Sequence, residues 1–170
     1  MLTDTSVLIK EVTQSEISDV LSIAKATWEP TYREILSKAQ IDYMYEEIYT
    51  ATAVEKQIQD QGHIFLILYV ADTAVGYASY SLREDKESVY KVHKLHIHPD
   101  FQGQKYGRAL VGHLEKEVKN RGARMLEMNV NRYNPAVRFY ERCGYQQARE
   151  ENTPIGDFWM NDFVMYKELC

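Results

Sequence analysis

The sequence predicts an α/β domain in which helices flank a central mixed, mainly antiparallel sheet. Segments with the apolar pattern of strands are interspersed with segments whose apolar residues recur at helical spacing. Residues 64–71 form a continuous apolar run of strand length, which is typical of a strand covered on both faces, and we place this strand centrally. A turn at Asp72 and Thr73 follows, so residues 74–82 are expected to complete a hairpin.

The composition is that of an ordinary globular protein. The chain has 170 residues, 45% of them hydrophobic and 26% charged, and no linker rich in Pro, Gly or Ser divides it. We therefore expect one domain over residues 1–170. No apolar run approaches the length of a membrane span and the amino terminus lacks the pattern of a signal peptide, so we expect a cytoplasmic protein with no membrane partner.

The charge and the cysteines exclude several classes of function. A formal net charge of -5 argues against a nucleic-acid partner, because phosphate backbones need a basic face, and it is compatible with a cationic partner. Cys143 and Cys170 are too few for a disulfide framework and have no metal-ligand spacing. We expect both to be reduced thiols.

The first elements follow from alternation and capping. Residues 7–12 alternate like a strand, and Thr13 with Glu16 forms a capping box that opens a helix. That helix is predicted to end near Trp28 and Pro30.

The segment 28–49 is rich in both aromatic residues and carboxylates. Two interpretations stay open: a wall that recognises an amine, or a pair of ordinary amphipathic helices with a solvated acidic face. Residues 53–61 form the next predicted helix, which stops at Gly62.

The second half of the chain continues the alternation of strands and helices. We predict a strand over 89–98, a helix from about 107 to 121 with Gly122 as its stop, and a strand over 125–130. A further helix is expected between the cap residue Asn134 and the stop residue Gly144.

The loop between the strand and the helix that opens near residue 107 predicts an anion site. Such a loop collects unpaired backbone N–H groups in front of the positive end of the helix dipole, which suits a phosphate. Lys105 and Arg108 add two cationic side chains. The segment lacks the Gly-Lys-Ser/Thr of the Walker loop and the three spaced glycines of the dinucleotide-binding loop, so neither of these nucleotide-binding loops is predicted.

Residues 102–107, Gln-Gly-Gln-Lys-Tyr-Gly, resemble the pyrophosphate loop of the GNAT family of N-acetyltransferases, including the strand before it that ends in His-Pro. Lys105 stands where that family usually has Gly, so it must either take an ordinary helical conformation or supply charge in place of room. Residues 134–145 resemble the family's second motif, which joins Asn, Ala, an aromatic pair and Gly-Tyr at the expected spacing. The two motifs occur in the family's order.

The resemblance implies a GNAT-type sheet of about six to seven strands with about four helices, and acetyl-CoA (coenzyme A) as co-substrate. The loop would hold the pyrophosphate through backbone amides, the strand before it would pair with the pantetheine arm, and Asn134 would bind the cofactor by a hydrogen bond. The residues implied in cofactor binding are Leu95, His96, Ile97, Gln102, Gly103, Gln104, Lys105, Tyr106, Gly107, Arg108 and Asn134.

The chemistry of acetyl transfer to an amine assigns two candidate catalytic residues. Tyr140, which the resemblance places near the thioester sulfur, is the candidate general acid, because a phenol can protonate a departing thiolate. His93 is the candidate general base. Strand alternation would put His93 and His96 on opposite faces, and we expect no metal site from these residues and His98 because a fourth ligand is missing.

The carboxyl-terminal segment 153–165 is predicted to be a turn-rich aromatic loop that feeds a final strand. Its Gly156, Asp162 and Met165 resemble the corresponding end of bacterial polyamine acetyltransferases of the same family. We therefore expect acetyl transfer to a primary amine, best a small cationic amine such as a polyamine, by direct attack in a ternary complex. The alternatives are a protein N-terminal or lysine acetyltransferase and a non-catalytic acyl-CoA sensor, and a homodimer is compatible with the sequence.

Overall fold

The computed structural model describes residues 6–169, which form seven strands and five α-helices. The strands are β1 (Val7–Glu11), β2 (Ile64–Val70), β3 (Thr73–Leu82), β4 (Val89–Ile97), β5 (Met125–Asn131), β6 (Gln146–Ile155) and β7 (Phe158–Glu168). The helices are α1 (Ile17–Tyr32), α2 (Lys38–Ile48), α3 (Ala51–Gln59), α4 (Tyr106–Asn120) and α5 (Ala136–Arg142). Cys143 is a free thiol, and the prediction for Cys170 lies outside the described residues.

The seven strands pair in the order β1-β2-β3-β4-β5-β7-β6. Only β4 and β5 are parallel, and every other neighbouring pair is antiparallel. The prediction of a mixed, mainly antiparallel sheet is confirmed. The helix α4 forms the crossover that a parallel pair requires.

Two hydrophobic clusters lie on opposite faces of the sheet. Helices α4 and α5 pack on one face, where Leu110, Leu114 and Tyr140 join the core. Helices α1, α2 and α3 cover the other face, with Val20 and Val54 in the core. Strand β2 is buried on both faces, as its apolar run predicts. Its predicted central place is wrong, since β2 lies next to the edge strand β1.

The capping box at the start of α1 is confirmed, but the predicted end of the helix is wrong. Glu16 accepts a hydrogen bond from the backbone N–H of Thr13 at 3.2 Å, in a short 3₁₀ turn that leads into α1. The helix then runs through Pro30 and ends at Tyr32, since Trp28 and Tyr32 are held in the buried face. Tertiary packing here outweighs the preference of proline for helix ends.

The segment 28–49 forms the end of α1 and the amphipathic helix α2, which fits the second of the two interpretations. The Trp28 indole N–H donates to the Ile41 carbonyl at 3.0 Å, and the indole is buried. Asp42 pairs with Lys38 one helical turn away on the exposed surface. Trp28, Tyr32 and Tyr49 thus belong to the core. Glu29, Asp42 and Glu46 line a second cavity together with Trp28 and Tyr45, so the recognition of an amine by this segment stays a prediction.

The segment 153–165 is a strand hairpin: the predicted loop is confined to a turn at residues 156–157, and the final strand begins at Phe158. Strands β6 and β7 pair on either side of a turn at Gly156. Gly156 has φ +57°, and a Cβ there would lie 2.5 Å from the Tyr43 hydroxyl oxygen, so the turn needs glycine. In the part of the chain described, no helix is long and apolar enough to cross a membrane.

Candidate active site

The parallel strands β4 and β5 separate near the middle of the sheet. Their pairing runs from Val89 and Met125 to Val92 and Met128 and stops there, although both strands continue. The part of β4 beyond residue 92 therefore has no strand partner on its β5 side. A cavity of about 1020 Å³ occupies the opening, and it is lined by residues from both faces of the sheet.

A β-bulge at His93 marks the point of separation. On β3, Tyr80 pairs with Val92 and Ser79 pairs with Lys94, so His93 is the extra residue. The Ser81 hydroxyl lies 2.7 Å from His93 Nε2, and the ring of His96 packs against Tyr77, 5.5 Å between centroids. Ser81 and Tyr77 alternate onto the same face of β3.

His93 and His96 therefore both lie on the face covered by α1, α2 and α3. The expectation that they occupy opposite faces is wrong, because the bulge shifts the alternation by one residue. No sequence pattern in β4 alone marks such a bulge, which is defined by pairing with another strand.

The predicted anion loop presents a row of free backbone donors. Within residues 6–169, no carbonyl or side chain accepts a hydrogen bond from the backbone N–H groups of residues 103–108. These groups precede or begin α4, where the helix dipole also favours an anion. The loop therefore fits the pyrophosphate of coenzyme A.

Lys105 takes a left-handed conformation, with φ +69° and ψ 14°. The expected alternative that Lys105 becomes helical is therefore wrong. Its backbone keeps the left-handed conformation that the family's glycine permits, and the alternative that its side chain supplies charge stays a prediction. Gly103 is also left-handed, at φ +78°. Lys105 is exposed, so its side chain stays available to an anion.

Other residues of the loop hold it in place. The Gln102 side-chain amide donates to the Ile97 carbonyl at 3.0 Å, which ties the loop to the end of β4. Arg108 donates to the Arg142 carbonyl at 3.3 Å, which joins α4 to α5. Gly107 allows close packing, because a Cβ there would lie 3.3 Å from the ring of Phe139. Gln104 and Tyr106 complete the loop, and Tyr106 packs against the core.

Asn134 caps the turn that starts α5, and its side-chain NH₂ group remains available as a hydrogen-bond donor. Its side-chain carbonyl accepts a hydrogen bond from the Ala136 N–H at 2.9 Å. Its amide NH₂ group has no partner among residues 6–169, and Asn134 lines the cavity. The capping role predicted for Asn134 is confirmed, although α5 begins two residues later, at Ala136.

Tyr140 of α5 is a buried residue at the opening. Tyr140 is 7% exposed and lines the cavity, and its hydroxyl forms no hydrogen bond with the described residues. Burial, together with the nearby Tyr32, raises the pKa of Tyr140. The phenol therefore keeps its proton at neutral and moderately basic pH.

Leu95 and Ile97 pack their side chains into the α4–α5 cluster, while the His96 ring packs against Trp28 on the other face. Any contact of His96 with a cofactor on the α4 side would have to come from its backbone. Burial and the neighbouring Lys94 lower the pKa of His96 to about 4.

His93 lines the cavity beside a second histidine. Its ring stacks on His63 with centroids 4.0 Å apart, and burial and that neighbour lower its pKa. His93 is therefore neutral at pH 7, and its role as general base stays a prediction. The His98 imidazole accepts a hydrogen bond from the Asp100 N–H, and nowhere in residues 6–169 do three metal-ligating side chains come together.

The structure adds polar residues that the sequence did not single out as a group. Tyr32 of α1, Asn129 of β5, Glu151 of β6 and Asp162 of β7 all line the cavity on the side of α1. They come from four elements far apart in the sequence. Only the register of the β5–β7 and β6–β7 pairs brings the last three together.

Comparison with known proteins supports this geometry. A spermidine N(1)-acetyltransferase from Thermoplasma acidophilum is 24% identical over 160 residues, which cover 91% of this chain and 96% of that protein. An acetyltransferase from Yersinia enterocolitica is 31% identical over 94 residues, covering 55% of this chain and 64% of its own length.

Solved structures share the fold. The PaiA N-acetyltransferase from Thermoplasma acidophilum, crystallised in complex with coenzyme A, superposes with a TM-score of 0.81 at 22% identity, covering 96% of this chain and 99% of that one. The ribosomal-protein-S18-alanine N-acetyltransferase from Escherichia coli has a TM-score of 0.72 at 18% identity, covering 96% and 94%.

The family model described as acetyltransferase (GNAT) family matches residues 20–145. That range includes the free amides before α4, the separation of β4 from β5, and Tyr140. The chain therefore belongs to the GNAT family and is an acetyl-CoA-dependent N-acetyltransferase.

Proposed function

We propose that the protein acetylates a primary amine of a small cationic acceptor, such as a polyamine, by direct attack in a ternary complex with acetyl-CoA. The observation that carries the proposal is the cavity that passes through the sheet, with free backbone amides on the α4 side and the carboxylates of Glu151 and Asp162 on the α1 side. An anionic donor would meet these amides and a cationic acceptor would meet the two carboxylates, although Lys91 and Lys94 also line the cavity. The similarity to a spermidine acetyltransferase supports the same class of acceptor.

Direct attack is favoured because, among residues 6–169, the cavity holds no activated cysteine. Cys143 lines the cavity, but burial raises the pKa of its thiol, whereas an acyl-enzyme would need a thiolate. An acceptor amine held in the opening can reach the thioester without such an intermediate carrier.

Each proposed site residue has a role that suits its place. Acetyl-CoA supplies the acetyl group and a thiolate leaving group. The amides of residues 103–108 bind its pyrophosphate, Asn134 donates a hydrogen bond to it, and the open edge of β4 at Leu95 pairs with its pantetheine arm. A backbone amide near Leu95 would stabilise negative charge on the carbonyl oxygen.

Tyr140 would donate the proton that the leaving thiolate needs. Its raised pKa keeps the hydroxyl protonated over the working pH range, and it has no competing partner in the described residues. His93 is the candidate from the sequence for accepting the amine proton, directly or through water, although its lowered pKa makes it a weak base.

The first test combines an acceptor panel with one conservative variant. Tyr140→Phe removes only the hydroxyl, so kcat is expected to fall about 100-fold while the Kd for acetyl-CoA stays within about twofold. Thiol release and product mass are measured with polyamines, amino acids, aminosugars and peptides. The control is Tyr133→Phe, because Tyr133 is 73% exposed and does not line the cavity.

The outcomes separate the parts of the proposal. Turnover with peptides and none with small amines would contradict the choice of acceptor and favour a protein N-terminus or lysine. Full activity of Tyr140→Phe would remove Tyr140 as the acid.

A further inference from the structure

Asp162 carries a buried carboxylate oxygen with no partner. The residue is 6% exposed, and within residues 6–169 no donor reaches Oδ1. Asp162 lines the cavity. Leaving such an acceptor unpaired in the interior costs free energy, so its retention calls for an explanation.

Strand alternation fixes the side to which Asp162 points. On β7, Met160 packs with the α1–α3 cluster and Phe163 with the α4–α5 cluster. Asp162 is two residues from Met160 and therefore points to the α1 side, opposite the face that carries the amide loop.

The neighbours of Asp162 include a second carboxylate, Glu151, which pairs with Arg149 at 3.4 Å. The charges of Lys91 and Arg132 also act on Asp162. The Asn129 amide donates to Asp162 Oδ2 at 3.3 Å and to Glu151 Oε1 at 3.2 Å, which holds the two carboxylates side by side. Arg132 is close, but its Nε donates to the Asp162 backbone carbonyl at 3.3 Å. In the described chain, no cationic side chain forms an ion pair with the Asp162 carboxylate.

Tyr32 connects this carboxylate with the proposed reacting centre. Burial and the charge of Asp162 raise the pKa of Tyr32 to about 12, and Tyr32 in turn raises the pKa of Tyr140. All three side chains line the same cavity.

We propose that Asp162, with Glu151 beside it, binds a second ammonium group of a diamine or polyamine acceptor while the first amine reacts near Tyr140. The inference deepens the proposed function and rests on it. A cation at Oδ1 would supply the missing partner of that atom. Burial raises the pKa of Asp162 in the free protein, and a bound ammonium would reverse that effect.

The test compares diamines with monoamines of the same carbon chain. Diaminobutane and diaminopentane are paired with butylamine and pentylamine at saturating acetyl-CoA. Asp162→Asn keeps the size of the side chain and the contact with Asn129 but removes the charge. We expect kcat/KM for the diamines to fall at least about 30-fold, mainly through KM, and that for the monoamines to change less than about threefold.

Matched variants separate this site from general charge effects. Glu151→Gln is expected to have a smaller effect in the same direction, since the Glu151 side chain is 39% exposed. Asp157→Asn makes the same change at an exposed position before the same strand and should leave both amine classes unaffected. Circular dichroism and the Kd for coenzyme A verify that each variant is folded.

Three results would overturn the assignment. Equal losses in kcat for diamines and monoamines, with a displaced pH profile, would make Asp162 a general base, and unchanged kinetics would remove it from the site. Calorimetric titration of diaminobutane into the coenzyme A-saturated protein gives a readout without turnover. Binding of diaminobutane that depends on Asp162, without any acetylation, would contradict the proposed function and support the subsite. Absence of binding, or binding that does not depend on Asp162, would contradict the subsite.

Discussion

Lys105 has a left-handed backbone conformation, which costs free energy for residues other than glycine. Its φ of +69° lies in the left-handed region, where Asn and Gly are the usual residues. The turn that presents the amides of residues 103–108 needs this geometry, so the strain is part of the loop.

This strain predicts the order of stability of two variants. Lys105→Val adds a β-branched side chain at positive φ and should unfold more easily than Lys105→Gly, by about 1 to 2 kcal/mol in the free energy of unfolding. Urea denaturation of the two variants measures the difference directly. Equal stabilities would mean that the backbone at residue 105 relaxes to another conformation.

Strand β4 is the element that builds the site. Its bulge at His93 ends the pairing with β5 and turns His93, Lys94 and His96 toward the helices of the α1 side. Burial there lowers the pKa of Lys94 to about 8, and the Lys94 ammonium donates to the Gln57 side chain at 2.6 Å. The strand thus places His93, Lys94 and His96, all with lowered pKa values, in the lining of the cavity.

The buried imidazole of His96 predicts a pH dependence of stability. Its pKa is about 4 in the folded protein and near 6.5 in an unfolded chain, so the unfolded state binds more protons between these values. The free energy of unfolding should therefore fall as the pH is lowered from about 6.5 to about 4. His96→Phe, which can keep the contacts with Trp28 and Tyr77, should make this decline less steep.

Urea unfolding at several pH values compares the two proteins. His63 and His93 also have lowered pKa values, so part of the dependence remains in the variant. An identical slope would show that His96 is not protonated on unfolding in this range.

At the scale of the whole molecule, the sheet separates the two proposed binding regions. The free amides lie on the side of α4 and α5, and Glu151 and Asp162 lie on the side of α1. The opening between β4 and β5 joins them, which allows a donor and an acceptor to meet in the middle of the sheet.

This arrangement predicts a large effect of coenzyme A on thermal stability. A ligand at 100 times its Kd adds about 2.7 kcal/mol, which corresponds to a rise in Tm of about 5 to 10 °C for a protein of this size. Pantetheine lacks the pyrophosphate and leaves the amides of residues 103–108 unpaired, so it should shift Tm much less at the same concentration. Equal shifts in a thermal melt would contradict the role of the loop.

Local signals in the sequence were sufficient for most elements and for the backbone geometry of the proposed anion loop. The strands and helices of the second half follow from apolar periodicity and from caps such as Asn134 and Gly144, which act between residues close in the chain. The anion loop is a contiguous segment, so its free amides also follow from local sequence.

The remaining features depend on contacts between residues that are distant in the chain, so only the tertiary structure decided them. The extra residue in β4 exists only relative to β3, and it moved His93 to the face of His96. Packing in the α1–α3 cluster keeps the residues just beyond Pro30 in helix α1. The grouping of Tyr32, Glu151 and Asp162 depends on strand register and on the docking of α1, and the unpaired oxygen of Asp162 becomes significant only because folding removes it from water.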